Sequence, residues 1–170
     1  EGWDNLLRHL EQKGYTMPDV KRAGLAAVNQ SGRYYDYFRG RIMFPIIDVR
    51  GDVVGFGGRV LDDSKPKYLN SPDTPVFKKS RSLFSLCNAK GTREGQLILA
   101  EGYLDVISLY QAGFAQAVAT LGTALTSEQA RLMNRYAKEV VIAYDMDEAG
   151  RRATQRASEL LTAAGLKVRV

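Results

Sequence analysis

Three short apolar runs, each followed by a helix-like stretch, constrain this chain more than any other feature of its 170 residues. From Gln96 the pattern alternates strand and helix. Runs at 97–100, 115–119 and 140–144 are followed by helical patterns over 103–112, 126–138 and 148–164, and Lys167 to Val170 opens a further strand. Gly113 and Gly165 stand where the first and last of these helices must stop, and Thr126-Ser-Glu-Gln129 has the form of a capping box. Continuous apolar runs of this length fit strands buried on both faces. The alternation implies a parallel sheet covered by helices, with right-handed crossovers.

Two of the runs end in carboxylates. The first leads into Glu101-Gly-Tyr-Leu-Asp105, the second into Asp145-Met-Asp147-Glu-Ala-Gly150. In open α/β sheets, ligands bind in the crevice beyond the carboxyl ends of the strands. Three or four carboxylates are therefore expected to converge on one spot. Such like charges repel unless a cation holds them, and hard oxygen donors suit Mg²⁺ with phosphate groups as further ligands. The competing reading makes Asp145 and Asp147 simple helix N-terminal residues that stabilise the dipole of the helix from Ala149 onward.

Composition narrows the class. Hydrophobic content of 45% and charged content of 25% are those of a soluble globular chain. No apolar run is long enough to span a bilayer and no signal peptide opens the sequence, so no membrane partner and a cytoplasmic location are expected. The lone Cys87 argues for a reducing compartment, and one Cys with one His, His9, cannot build a zinc site.

The net charge of +5 is unevenly spread. Residues 1–32 are neutral, residues 33–93 carry 12 basic against 6 acidic side chains, and residues 94–170 carry 8 against 9. Basic residues interleaved with Tyr and Phe are the expected footprint of a nucleic-acid or nucleotide phosphate site, and equally of a solvated basic surface. Within this stretch, 41–50 and 53–61 read as two strands joined by a tight turn at Gly51-Asp52, with Pro45 placing the first at an edge. Phe56-Gly-Gly-Arg59 sets two glycines beside an arginine, and a strand glycine often marks close approach of a backbone or ligand. Lys67-Tyr-Leu-Asn70-Ser-Pro72 and Phe77-Lys-Lys79-Ser-Arg81 follow in a segment, 62–82, that reads as loop. Ahead of them, residues 3–13 form an amphipathic pattern with Trp3, Leu6, Leu7 and Leu10 on one face, closed by Gly14, and a short helix runs from Pro18 to Ala23 before Gly24.

Glu101-Gly-Tyr-Leu-Asp105 with Asp145-Met-Asp147 resembles the TOPRIM domain of bacterial primases, type IA and II topoisomerases and some nucleases. The run Arg41-Ile-Met-Phe-Pro-Ile, with Phe56-Gly-Gly-Arg59-Val and Lys67-Tyr-Leu-Asn-Ser-Pro72, resembles the RNA-polymerase core of bacterial replicative DNA primases. The resemblance covers essentially the whole chain. It implies an α/β TOPRIM sheet at 94–170, preceded by a smaller basic α+β subdomain at 1–93. It also implies a nucleotidyltransferase that makes short RNA primers for DNA replication, with single-stranded DNA and ribonucleoside triphosphates as partners. Glu101, Asp145 and Asp147 take the catalytic positions around Mg²⁺, for which Mn²⁺ can substitute, with Asp105 as a further ligand. Arg41, Arg59, Lys67, Asn70 and Lys79 take the nucleotide- and template-binding positions. Whether Glu101 serves as general base or as ligand is open.

The family carries a further acidic motif after the next strand, an N-terminal zinc-binding domain and a C-terminal helicase-interacting domain. None lies within these residues, so an excised core with an incomplete metal site and weak or absent activity by itself is expected, with zinc and the replicative helicase bound elsewhere. The rival readings are the primase part of a phage or organellar primase–helicase, a TOPRIM topoisomerase or nuclease, and a non-catalytic nucleic-acid-binding module.

Overall fold

The computed structural model describes residues 2–92 and 95–170. The expected boundary at 93/94 lies outside the described residues. The chain packs as two units, one of residues 1–45 and 54–78 and one of residues 46–53 and 79–170.

The first unit opens with helix α1 (Asn5–Gln12) and helix α2 (Met17–Arg22). Gly14 and Gly24 end them at φ of +88° and +76°, the left-handed region that glycine enters without a Cβ clash. Leu7 and Val20 form a small core with Ala26. Asp4, the residue before α1, makes no side-chain cap. Buried Asp36 supplies the missing acceptors instead, taking the Leu6 and Leu7 backbone N–H groups at 3.0 Å each. Trp3 departs from the expected apolar face: it precedes α1 and is 67% exposed.

Strands β1 (Ala26–Val28) and β2 (Tyr34–Asp36) pair antiparallel across an Asn29 turn, whose Oδ1 accepts from Ser31 N and Arg33 N. Three-residue strands are too short to print a period on the sequence, and this hairpin goes unread there. Strands β3 (Arg41–Ile47), β4 (Val53–Val60) and β5 (Tyr68–Asn70) form a sheet in that order, so Pro45 does lie on an edge strand. The first strand stops before its expected end at Arg50. Asp48 Oδ1 accepts from Arg50 N at 2.8 Å and Asp52 N at 3.1 Å, and Gly51 turns at φ +100°. The segment 62–82 is not all loop: it holds β5 and a 3₁₀ turn at Lys79–Arg81.

The second unit contains α3 (Leu86–Ala89), another short element with no sequence signal, and then the expected alternation. Its members are β6 (Gln96–Ala100), α4 (Tyr103–Gln111), β7 (Ala117–Ala119), α5 (Ser127–Asn134), β8 (Glu139–Ala143), α6 (Glu148–Ala163) and β9 (Lys167–Arg169). The four strands are parallel in the order β7-β6-β8-β9. Alternate residues serve two cores, as a doubly covered sheet requires. Leu97, Leu99, Val140 and Ile142 pack with Met133 of α5 and Leu161 of α6, whereas Ile98, Ala100 and Ala119 pack with Val106 of α4. Phe84 bridges Ala119 and covers the β7 edge. No helix among the described residues is long and apolar enough to cross a membrane.

The capping box at α5 does more than start a helix. Thr126 Oγ1 accepts from Gln129 N and Gln129 Oε1 accepts from Thr126 N. Gln129 is fully buried, and its Nε2 also donates to the carbonyls of Lys79 and Ser82 at 2.9 and 2.8 Å. Thr126 Oγ1 donates to Ser80 O at 2.6 Å. Gln129→Leu, which removes a hydrogen-bond partner from three part-buried backbone groups, is expected to cost about 2–4 kcal/mol, against about 1 kcal/mol for Thr126→Ala. Urea midpoints of the two variants give the comparison, and equal losses contradict it.

At the other end of the sheet, Glu139 pairs with Lys167 at 3.1 Å and accepts from Gln96 at 2.6 Å. The Lys167 ammonium and then the Gln96 amide hold its carboxyl below the usual carboxylate range. The stabilisation is therefore complete above the ordinary value of 4.5 and is lost as pH falls through the lowered value. Wild type should exceed Glu139→Gln in urea midpoint at neutral pH, and the gap should close as pH falls from the ordinary value of 4.5 through the lowered one.

Candidate active site

Strands β6 and β8 pair in register from Gln96 opposite Glu139 to Ala100 opposite Ala143, so both leave the sheet at one level. Glu101 follows β6 directly. Its Oε1 accepts from the backbone N–H of Asp145 at 2.9 Å, which ties the two exits together. Asp105, the third residue of α4, accepts from Gly102 N at 3.0 Å and so closes the helix's first turn. Asp147 is the N-cap of α6 and its Oδ1 accepts from Gly150 N at 2.6 Å. All four carboxylates are exposed.

The expected convergence of three or four of them needs correction. Among the described residues no group of three Asp, Glu, His or Cys side chains stands close enough to hold one ion. Glu101, Asp105 and Asp147 each spend one oxygen on a local backbone N–H, which fixes where each points. The helix-capping reading of Asp147 is therefore physically correct, and it leaves the second oxygen of that carboxylate uncommitted.

Gly150 explains why this corner is tight. A Cβ there would sit 2.0 Å from Asp145 O, well inside any tolerable contact. Gly150→Ala should lower stability by about 1–3 kcal/mol despite alanine's better helix propensity, because backbone rather than a flexible side chain must move. An unchanged or higher urea midpoint would argue against this packing.

Beyond the strand ends lies a cavity of about 630 Å³, lined among others by Glu101, Thr120, Tyr144, Asp147, Arg152 and Arg156. Sequence reasoning does not single out Tyr144, Arg152 or Arg156; their only signal is position just after β8 and along the first turns of α6. Burial, then the Glu101 charge, pushes the Tyr144 phenol up to about 12. It stays a neutral group at physiological pH.

Four of the five basic-set residues belong to the first unit and Lys79 to the second. Arg41 on β3 donates to the carbonyls of Gly58 and Lys67 at 3.3 and 3.4 Å. Gly58 is needed for that crossing, since a Cβ would meet Arg41 Cδ at 2.9 Å and Phe38 at 3.0 Å. Arg59 lies 5.9 Å over the Tyr68 ring, and its buried Nε has no hydrogen-bond partner. Lys67 is exposed, and Asn70 on β5 pairs with Gly57 while its carbonyl accepts from Tyr37 Oη at 3.4 Å. Ser71, between Asn70 and Pro72, is a structural residue: fully buried, it accepts from Phe56 N.

A second cluster in this unit escapes the sequence reading. The Arg39 guanidinium lies 4.5 Å over Trp3 and 4.8 Å over Tyr35, beside a cavity of about 610 Å³. The available signal is Asp4-Asn5, which reads as a helix start and so puts Trp3 outside the helix face.

Comparison with known proteins decides the family. Residues 1–90 match the family described as DNA primase catalytic core, N-terminal domain, and residues 98–170 match the Toprim-like family. The chain is 50% identical to a DNA primase of Clostridium acetobutylicum over 100% of its length and 28% of that protein. It is 50% identical to a DNA primase of Deinococcus radiodurans over 99% of its length and 30% of that protein. The chain belongs to the DNA primase catalytic-core family. Its fold superposes on the Escherichia coli primase catalytic core with a TM-score of 0.90 at 43% identity, covering 99% of this chain and 55% of that one. The DnaG primase catalytic domain bound to single-stranded DNA gives 0.87 at 43%, covering 99% and 56%. The chain thus spans less than a third of these curated relatives and about half of these solved cores. The α/β TOPRIM sheet with flanking helices expected from the sequence is the fold of this family.

Proposed function

We propose that this chain carries the primer-synthesising chemistry of a replicative primase: template-directed joining of ribonucleotides on single-stranded DNA, in the cytoplasm of a bacterium. The observation that carries the reading is the Glu101–Asp145 bond, which holds two acidic strand exits side by side at the mouth of a cavity. The functional division we assign is a basic part at 1–93 and a TOPRIM part at 94–170. Contact with a replicative helicase is assigned to a region outside these residues.

Toprim-type primases are in general metal-dependent. The donor set here fits a hard divalent cation held in the manner of Mg²⁺, through one or two carboxylates with water and substrate phosphates completing the shell. We assign Mg²⁺, replaceable by Mn²⁺, to this acidic corner, with one or two of Glu101, Asp145 and Asp147 as its direct ligands at a time and Asp105 as an outer support through the α4 turn. Such an ion, when bound, neutralises charge that builds on the phosphates during transfer. The protein's part is positioning. Glu101 holds the Asp145 loop by its backbone, and Asp147 offers one oxygen outward while capping α6. Tyr144 lines the same cavity as a neutral phenol.

The basic residues act on the substrates. Arg59, whose Nε is buried without a partner, is assigned to the triphosphate through its guanidinium, since Arg, unlike Lys, presents a planar fork suited to phosphate oxygens. Arg41, Lys67, Asn70 and Lys79 complete the nucleotide and template set. The exposed Trp3 ring, with Arg39 over it and Tyr35 edge-on beside it, suits unstacked bases of a single strand, which bind aromatic and guanidinium planes without regard to sequence.

The test is ribonucleotide incorporation on single-stranded DNA by a full-length primase carrying these residues, with Asp147→Asn. Asparagine caps helices as well as aspartate does, so α6 stays intact while the charge goes. Incorporation should fall by about a hundredfold or more with the melting temperature nearly unchanged. Wild-type incorporation by the variant overturns the assignment.

A further inference from the structure

We infer that Arg131 on α5 and Arg135 at its C-cap, together with Arg81, form a second contact for a polynucleotide backbone, separate from the acidic exits of β6 and β8. The inference rests on the primase reading, since it extends the nucleic-acid path proposed there. Arg81, Arg131 and Arg135 line a shallow depression of about 360 Å³ with Glu128 and Leu132. Arg131 and Arg135 are both exposed, and neither forms an ion pair among the described residues. They stand four residues apart, about 6 Å along the axis, a step that neighbouring phosphates of an extended strand can bridge.

Arg81 is not placed there by chance of a loose loop. It ends the 3₁₀ turn Lys79–Arg81, and Gln129 and Thr126 clamp that turn through the carbonyls of Lys79, Ser80 and Ser82. The same clamp holds Lys79, already assigned to the nucleotide set, so one fixed turn carries a cation of each group. Arg81 Nε donates to Glu128 at 2.9 Å, but the side chains are 69% and 41% exposed. Ion pairs that open to solvent are weak and readily exchanged for a phosphate.

The chemistry of the patch favours nucleic acid over protein. Three guanidinium groups face a single carboxylate, and guanidinium is the group best matched to phosphate. Protein interfaces centre on a buried aromatic or aliphatic anchor. The depression offers only half-buried Leu132 for that purpose.

Anisotropy of a labelled oligothymidylate across a salt series tests this with the 170-residue chain. Arg131→Ala with Arg135→Ala should bind about tenfold more weakly at low salt, and the slope of log affinity against log salt should shrink by about 1.4, because two phosphates are no longer neutralised. Arg131→Lys with Arg135→Lys should restore most of the slope, which a merely structural role would not allow. Glu128→Gln should tighten binding by about two- to threefold by releasing Arg81, roughly the share of one phosphate, an effect no unfolded variant can mimic. Manganese calorimetry should be the same in all of them. Wild-type affinity and slope in the alanine pair overturn the inference and leave the primase reading standing. Failure of the wild-type chain to bind the oligomer overturns both. Equal binding of polyglutamate reassigns the patch to an acidic protein and overturns the nucleic-acid contact alone.

Discussion

The parallel pairing of β6 with β8 is the constraint on which the site depends. Parallel strands that share a register end together, and Ala100 opposite Ala143 sets that end. The next residue on one strand is Glu101, and Asp145 follows close behind on the other. A one-residue slip would exchange the residues of the two cores, setting Leu97 and Leu99 where Ile98 and Ala100 now pack, so side-chain size rather than polarity holds the register. The buried runs Leu97 to Ala100 and Val140 to Ile142 therefore do more than build a core: they fix the relative height of two carboxylates that are themselves exposed.

From that shared level the site is built by backbone groups as much as by side chains. Glu101 accepts a backbone N–H from the neighbouring exit, Asp105 one from its own turn, and Asp147 one from the first turn of α6. Each bond costs its carboxylate one oxygen and in return removes rotational freedom. Gly150 completes the arrangement by letting α6 start against the Asp145 carbonyl. The arrangement reconciles two readings that the sequence presents as rivals, because a carboxylate has two oxygens and can cap a helix with one while presenting the other.

What is legible in the sequence follows the length of each signal. The β-α-β-α-β-α run spans many residues with one period, and its strands and helices lie within a few residues of where that period puts them. The Gly51 turn, the Pro45 edge and the Thr126–Gln129 capping box rest on local chemistry that a single residue type announces. The β1–β2 hairpin, β5 and α3 are three or four residues long, too brief for a period to form. Trp3 reads as core because an apolar residue in phase with Leu6, Leu7 and Leu10 is indistinguishable from core until the helix start is fixed. Its true neighbour, Arg39, is 36 positions away, and no local pattern reports that stack. Likewise the acidic motifs mark the site, but the number of carboxylates meeting at one point depends on rotamers set by backbone donors.

The two basic blocks show a further distinction. Within Phe56-Gly-Gly-Arg59 and Lys67 to Pro72, structural and chemical duties alternate residue by residue. Gly58 clears a path for Arg41, whose guanidinium then satisfies the carbonyls of Gly58 and Lys67. Ser71 vanishes into the unit to bond Phe56 N, and Gly55 lies against buried Phe77. Arg59 is the exception: its Nε is desolvated with nothing to receive its proton. An unpaired buried donor costs about 1–3 kcal/mol, and this motif, which otherwise satisfies its polar atoms, carries that cost at Arg59. That cost separates Arg59 from Arg41, which neighbouring backbone already occupies, and it makes Arg59 the member of the basic set whose chemistry is least explained by the fold alone.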